Sequence, residues 1–214
     1  MSRLTTLSTG FILTLLVACA SAPREQAAPI VQPGAPGEAS RTISSREAAA
    51  LPVPGVTAAD IAFMQGMIGH HAQAIEMVAL LQTRTDSDAM KRMAQRIAVS
   101  QADEIVMMRE WLETRGIDAP SEHAHHAHDA TLMPGMLTPE EMQRLAAARG
   151  PAFDRLFLEG MIRHHQGALV MVRDLFASPG AAQDAEIFAF ASDVDADQRM
   201  EIARMVGMLK EFEK

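Results

Sequence analysis

The feature that most constrains the fold is an internal repeat. Nine residues recur at a constant spacing of 94 positions: Asp60, Phe63, Gly66, Met67, Ile68, His70, His71, Ala74 and Met77 reappear as Asp154, Phe157, Gly160, Met161, Ile162, His164, His165, Ala168 and Met171. Five more recur at a spacing of 97: Gln101, Glu104, Ile105, Met108 and Leu112 reappear as Gln198, Glu201, Ile202, Met205 and Leu209. The change in spacing falls between the two segments, where a turn tolerates insertions. Two short similar units predict a structure in which they pack against each other.

Capping residues and periodicity divide the first unit, about residues 57–116, into two helices. The pair Thr57 and Asp60 caps a helix that should run to about Gln82. Residues 86–88 offer caps for a second helix that should continue to Arg115, with Gly116 as its stop.

The second unit, about residues 151–213, should also form two helices. One is predicted over roughly 152–177, ended by Ser178-Pro179-Gly180, and the other from about Ala181 almost to the end. Before them, Thr138 and Pro139 predict a short helix over 138–150. The predicted fold is therefore all-α: a four-helix bundle of two tandem hairpins over residues 57–214, with a short extra helix in the connection.

Histidines occupy the apolar faces of the first helix of each unit. At 100° per residue, His71 lies at the centre of the stripe that contains Met67 and Ala74, and His70 lies on its flank. The second unit repeats this arrangement with His165 in the stripe and His164 on the flank.

Polar residues also interrupt the apolar stripe of the second helix of each unit. They are Gln101 and Glu104 in one unit and Gln198 and Glu201 in the other. A carboxylate directed into a bundle costs several kcal/mol unless it is paired or binds a metal. Each unit therefore directs one His and one Glu at the interior, where we expect them to meet.

Imidazole, thioether and carboxylate groups together suit a transition metal. Thioether sulfur favours Cu(I), whereas imidazole also binds Cu(II), Zn and Ni. Met67 is one turn before His71 and three residues before His70, so either histidine could share an ion with it. Met161 relates to His165 and His164 in the same way. The two glutamates could be ligands or acceptors that fix the imidazole tautomer.

The same residues permit plainer interpretations. Methionines at helical spacing often fill irregular gaps in a core, and this applies to Met67 and Met161 as well. Bonds from His to Glu or Gln could serve only to specify packing. A linker over residues 117–137 contains a further group that could bind metal loosely or simply be solvated. This group consists of His123, His125, His126 and His128.

The N-terminus predicts export. Residues 1–18 have a weakly basic start and a short apolar run, which is too short to remain as a spanning helix. The run ends in Leu16-Val17-Ala18-Cys19, which resembles a bacterial lipobox with Cys19 as the lipidated residue. The alternative is an ordinary signal peptide that a Cys follows by chance. Residues 19–56 are rich in Ala, Pro, Gly and Ser and predict a flexible tether.

Several other classes of site and partner are excluded. The formal net charge of −8 and the absence of a basic patch argue against nucleic acid as a partner. Cys19 is the only cysteine, so a mature domain that begins there has no thiolate zinc or blue-copper site. No Glu-x-x-His pair for a di-iron bundle and no His-Glu-x-x-His motif for a zincin protease is present.

With these motifs the chain resembles the bacterial family of domain of unknown function 305. Its members carry Asp-x-x-Phe…Met-Ile-x-His-His…Ala-x-x-Met twice, with Met-Pro-Gly-Met before the second copy, and the resemblance covers roughly 57–212. It implies an exported, ferritin-like four-helix bundle, and some relatives, the CopM-like proteins, bind copper and support copper resistance. The metal ligands implied by position are His70, His71, His164, His165, Met67, Met77, Met161 and Met171. The chain departs from an equal repeat at Val170, which stands where the first unit has Glu76.

The expected function is therefore that of a lipid-anchored, periplasm-facing protein of the cell envelope that binds copper, as Cu(I) or Cu(II), and buffers it or transfers it. The outer membrane is favoured, and a homo-oligomer or a copper-transfer partner is compatible with the sequence. Another transition metal could take the place of copper. One alternative is a metal-dependent redox enzyme of the cuprous oxidase type. Another is an interaction scaffold that uses the His-Glu pairs only for packing.

Overall fold

The computed structural model describes residues 28–32, 39–51, 55–121 and 132–212. The candidate lipidation site Cys19 and the linker histidines His123, His125, His126 and His128 lie outside these ranges. None of the helices in the described ranges is both long and apolar enough to cross a membrane.

The described residues before position 53 belong to a small unit of their own. Strands β1 (Ile30–Gln32) and β2 (Arg41–Ile43) pair antiparallel, with Ile30 opposite Ile43. Helix α1 (Ser45–Ala49) follows, and a reciprocal capping box between Ser44 and Glu47 begins it. These elements lie in the segment predicted as a tether, where the Ala/Pro/Gly-rich composition concealed the β-branched residues of the strands and the cap of the helix.

The remaining elements form a bundle of two helical hairpins. Helices α2 (Ala58–Leu81) and α3 (Asp88–Glu113) form the first hairpin, and α5 (Gly150–Ala177) and α6 (Ala185–Glu211) form the second. Helix α4 (Pro139–Ala147) lies in the connection, and α2 packs against α5. The prediction of an all-α four-helix bundle with a short extra helix is confirmed.

Two helix starts differ from the sequence prediction. Helix α5 begins at Gly150, whose amide donates to the Arg84 carbonyl at 2.7 Å. Helix α6 begins at Ala185 rather than near Ala181, because Ala182 has a φ of 53°, which a helix cannot accommodate. Asp184 instead caps the helix by accepting from the amides of Glu186 and Ile187.

Each hairpin turn is held by the first helix of the other hairpin. The buried carboxylate of Asp60 on α2 accepts from the amide of Ala182, in the α5–α6 turn, at 2.7 Å. Its repeat counterpart Asp154 on α5 makes a side-chain hydrogen bond to Thr85, in the α2–α3 turn. The two hairpins are therefore fastened to each other at both ends of the bundle.

The apolar core consists of two separate clusters, and each contains side chains from all four long helices. One cluster includes Phe63, Met108, Val172 and Phe190. The other includes Met77, Ile97, Phe157 and Met205. Along every long helix the two clusters are separated by a short polar interval.

A segment of irregular chain, which we call the strap (residues 132–137), lies in the groove between α2 and α5. Leu137 of the strap exchanges two hydrogen bonds with the buried side chain of Gln73 on α2, at 2.9 and 2.8 Å. Pro134 and Gly135 cross α5 at Gly167, where a Cβ would lie 1.8 Å from the Pro134 oxygen. A glycine is therefore required for the strap to approach α5 this closely.

Candidate metal centre

The polar intervals of the four long helices coincide in one layer between the two apolar clusters. Helices α2 and α5 each contribute two adjacent histidines to this layer, and α3 and α6 each contribute one Gln and one Glu. All four histidines are fully buried, and Gln101 and Gln198 are only 2% and 3% exposed. Burying so many polar groups lowers stability unless each has a hydrogen-bond partner or binds a metal. The partners of these side chains therefore indicate the chemistry of the layer.

Two His-Glu pairs form the outer parts of the layer. His71 Nε2 donates to Glu104 Oε2 at 2.5 Å, and His165 Nε2 donates to Glu201 Oε2 at 2.6 Å. These contacts were expected from the stripes, and the structure brings both pairs together. The glutamate side chains are 19% and 23% exposed, so each carboxylate links a fully buried ring to the surface.

The other two histidines meet at the middle of the bundle. The ring centroids of His70 and His164 are 3.8 Å apart, with an interplanar angle of 36°. Each is 6.3 Å from the ring of its sequence neighbour, His71 or His165. The four imidazoles therefore form one continuous row across the repeat interface, which we call the imidazole row (His71, His70, His164 and His165).

The helical projection placed His70 on the flank of its helix, yet it is buried as completely as His71. The strap covers that flank, and His70 Nε2 donates to the Pro134 carbonyl at 3.0 Å. Pro134, Gln73 and Gly167 also build the site, and the helical pattern did not indicate this role. The available signals were a Gln and a Gly at equivalent positions of the two repeats, each close to the histidine pair.

Several ring nitrogens of the row have no hydrogen-bond partner among the described residues. They are Nδ1 of His71, Nδ1 of His165 and at least one nitrogen of His164. Because Nε2 of His71 and of His165 is engaged by a carboxylate, Nδ1 is the ring nitrogen of each that is left for a metal. Burial lowers the pKa of His164 well below its usual value, the nearby rings of His70, His165 and His71 lower it further, and a hydrogen bond to the His70 backbone opposes them. The direction of this shift favours the neutral imidazole, which is the form that binds a metal.

The two buried amides add further unsatisfied atoms to the same layer. Both polar atoms of the Gln101 amide and Oε1 of Gln198 lack partners among the described residues. Native interiors contain few such atoms, so their concentration in one layer indicates that another group belongs there.

Carboxylates gather where the layer reaches the surface between α3 and α6. Burial raises the pKa of Asp197, and the neighbouring charges of Glu104 and Glu201 raise it further. The local potential at this opening is therefore negative, which favours the approach of a cation.

Thioethers lie on both sides of the row. Met67 and Met161, each four residues before a histidine of a His-Glu pair, are fully buried, as is Met77. Met171 is only partly buried. Within the described part of the chain, no three His, Cys, Asp or Glu side chains are already arranged around one point. Binding an ion in the row therefore requires rotation of at least some rings, although the donor types and the available lone pairs fit a copper ion.

Comparison with known proteins agrees with this architecture. The family model for "Domain of unknown function (DUF305)" matches residues 60–209. A putative secreted DUF305 protein from Streptomyces coelicolor is 30% identical, with a TM-score of 0.64 over 72% of this chain and 94% of its own. A DUF305 fragment from Deinococcus radiodurans is also 30% identical, with a TM-score of 0.63 over 74% and 99%. No curated protein sequence matches the chain.

CopM is a third structural relative and has been solved with metals bound. Its Cu(II)-bound form is 26% identical to this chain, with a TM-score of 0.56 over 72% of this chain and 97% of CopM. Its Ag-bound form gives 25% identity and a TM-score of 0.55, over 71% and 96%. The shared motif, the shared bundle and the family match agree, and the chain belongs to the DUF305 family.

Proposed function

We propose that this protein binds copper in the cell envelope, where it buffers the metal or transfers it. One observation carries the proposal: the polar layer between two apolar cores contains a row of four buried imidazoles, and among the described residues three of them, His71, His164 and His165, have a ring nitrogen without a hydrogen-bond partner. Such a layer lowers stability unless its atoms are satisfied, and a bound ion would satisfy several of them at once.

The chemistry of the layer supports copper over harder cations. Neutral imidazoles bind both Cu(I) and Cu(II), and the buried thioethers of Met67 and Met161 favour Cu(I). Glu104 and Glu201 would orient the imidazoles from the far side of each ring, as acceptors commonly do in metal sites. The likeness to CopM, which has been solved with Cu(II), supports the same choice.

Replacing both outer histidines should remove Cu(II) binding. In a His71→Gln/His165→Gln variant each new amide can still donate to its glutamate. The Nδ1 atoms of both imidazoles are lost. We expect the Cu(II) affinity measured by equilibrium dialysis at limiting metal to fall about a hundredfold, since two of the nitrogen donors are gone. Elemental analysis of the dialysed protein and circular dichroism measure the metal content and the fold.

The linker histidines provide the matched control. A variant with His123, His125, His126 and His128 replaced by Ala should keep the tightly bound Cu(II). Loss of binding in this control together with full binding in the His71/His165 variant would contradict the proposal.

Thermal unfolding separates copper binding from the packing-only alternative. A ligand that binds only the folded state at about 100 times its Kd adds about 2.7 kcal/mol of stability. For a domain of this size that corresponds to a rise in Tm of roughly 5–10 °C. A Tm that copper leaves unchanged would instead support a scaffold in which the His-Glu pairs serve packing alone.

We also propose that the chain is anchored by lipid at Cys19, on the evidence of the Leu16-Val17-Ala18-Cys19 sequence. A Cys19→Ala variant expressed in a Gram-negative host should lose incorporation of labelled palmitate and leave the membrane fraction. Lipid labelling followed by ultracentrifugation measures both effects. A wild-type protein that is exported without any label would contradict the anchor and leave the ordinary signal peptide as the explanation.

A further inference from the structure

Two thioethers meet above one glycine on the face of the bundle that the strap covers. A Cβ added to Gly66 of α2 would lie 3.2 Å from the sulfur of Met133 and 3.4 Å from the ε-methyl of Met171. A Cβ added to Gly69, one turn later, would lie 3.4 Å from the ε-methyl of Met133. The strap and α5 therefore each direct a thioether into the space that the missing side chain of Gly66 leaves.

The repeat supplies an internal comparison for this arrangement. Gly160 and Met77 are the repeat counterparts of Gly66 and Met171. A Cβ on Gly160 would lie 3.4 Å from the ε-methyl of Met77 and 3.4 Å from a methyl of Leu137. The opposite end of the strap thus occupies the equivalent place with a hydrocarbon side chain that cannot bind a metal.

The two places also differ in exposure. Met77 and Leu137 are 0% and 4% exposed, whereas Met133 and Met171 are both partly exposed. A cleft of about 300 Å³ reaches this side of the strap, and its walls include Phe63, Pro134 and Met171. Met171 lines this cleft and Met133 beside it is partly exposed, so a soft cation from solvent meets thioethers here, whereas Met77 and Leu137 are buried.

This thioether pair adjoins the imidazole row. Pro134, the residue after Met133, accepts the hydrogen bond from His70 Nε2. We infer that Met133 and Met171 form an entry site for a soft monovalent cation, Cu(I) or its analogue Ag(I), from which the ion passes inward to the row. This inference rests on the proposed function, since the row is the destination of the ion.

The test uses the full chain with methionine ε-methyl groups labelled with ¹³C and titrated with Ag(I). The Met133 and Met171 methyl signals should shift before those of the buried Met67 and Met161. A Met133→Leu variant has at this end of the strap the same side chain that Leu137 supplies at the other end. It should weaken the first Ag(I) binding event about a hundredfold. The reason is that loss of one of two ligands to a common ion removes the gain from chelation.

Met200→Leu is the matched control, because it removes a thioether from α6 that is 64% exposed and does not belong to the proposed site. We expect it to leave Ag(I) binding unchanged. Equal early responses of Met200 and Met133, or wild-type Ag(I) affinity in the Met133→Leu variant, would overturn the entry site. Cu(II) binding by the same variants reports on the row separately, since thioethers contribute little to it. Wild-type Ag(I) affinity in the Met133→Leu variant together with intact Cu(II) binding would therefore reject this inference and leave the proposed function standing.

Discussion

A Gly167→Ala substitution should dislodge the strap from the bundle. The added Cβ would lie 1.8 Å from the Pro134 oxygen and 2.8 Å from the Gly135 Cα, and both belong to backbone that cannot rotate away. We expect a loss of roughly 2–4 kcal/mol in the free energy of unfolding, from the clash and from the strap hydrogen bonds that it breaks. Urea denaturation measures this loss.

Hydrogen exchange at one amide tests the cause of the loss. The Leu137 amide donates to the buried Gln73 side chain at 2.8 Å, so it should be protected in the wild type and exchange quickly in the Gly167→Ala variant. Gly207→Ala is the control, because Gly207 lies in α6 with no atom within 4 Å of an added Cβ. The Gly207→Ala change should raise the free energy of unfolding by about 0.5–1 kcal/mol, as expected for Ala in place of Gly in a helix. Wild-type stability and Leu137 protection in the Gly167 variant would contradict the strap contact.

An Asp60→Ala substitution should cost about 3–5 kcal/mol, since it removes the acceptor of several buried hydrogen bonds. One carboxylate oxygen accepts from the Thr57 amide and hydroxyl, each at 2.8 Å, and the other accepts from the Ala182 amide at 2.7 Å. The change removes the capping box of α2 and releases the α5–α6 turn in one step. Tm should fall by roughly 10 °C, as differential scanning calorimetry would show.

The repeat counterpart of Asp60 serves as the contrast. Burial raises the pKa of Asp154, with the charge of Asp86 in support, while its hydrogen bond to Thr85 acts in the opposite direction. The folded state therefore binds this proton more tightly than the unfolded chain, and that contribution to stability is lost as the pH rises through the folded-state pKa.

An Asp154→Asn variant should accordingly equal or exceed the wild type in stability at neutral pH, with the difference vanishing in acid. A loss of stability in the Asp154→Asn variant at neutral pH as large as that in the Asp60→Ala variant would contradict the raised pKa of Asp154.

Local pattern was sufficient to predict the helices, most of their caps and the two His-Glu contacts. Thr57 and Thr138 begin helices as predicted because capping depends on residues only three positions apart. His71 meets Glu104 because both interrupt apolar stripes at matching heights, which the helical period alone determines.

The contact between His70 and His164 at the centre could not be predicted in this way. Contact between His70 and His164 depends on how the two hairpins face each other, and the burial of His70 depends on a strap that is distant in sequence. Gln73 and Gly167 are equivalent by repeat, yet one bonds to the strap and the other makes room for it. A pattern that treats the repeats as equal conceals such a division of roles.

The strap gives this duplicated molecule a direction. Two equal halves related by a twofold axis have no front or back, but a single segment that runs between them has one end that differs from the other. Here Met133 lies at one end and Leu137 at the other, so the two ends of the groove between α2 and α5 are chemically unlike. Anything that approaches the two ends of the strap would therefore meet a thioether at one and a hydrocarbon at the other, although the helices beneath them repeat the same pattern.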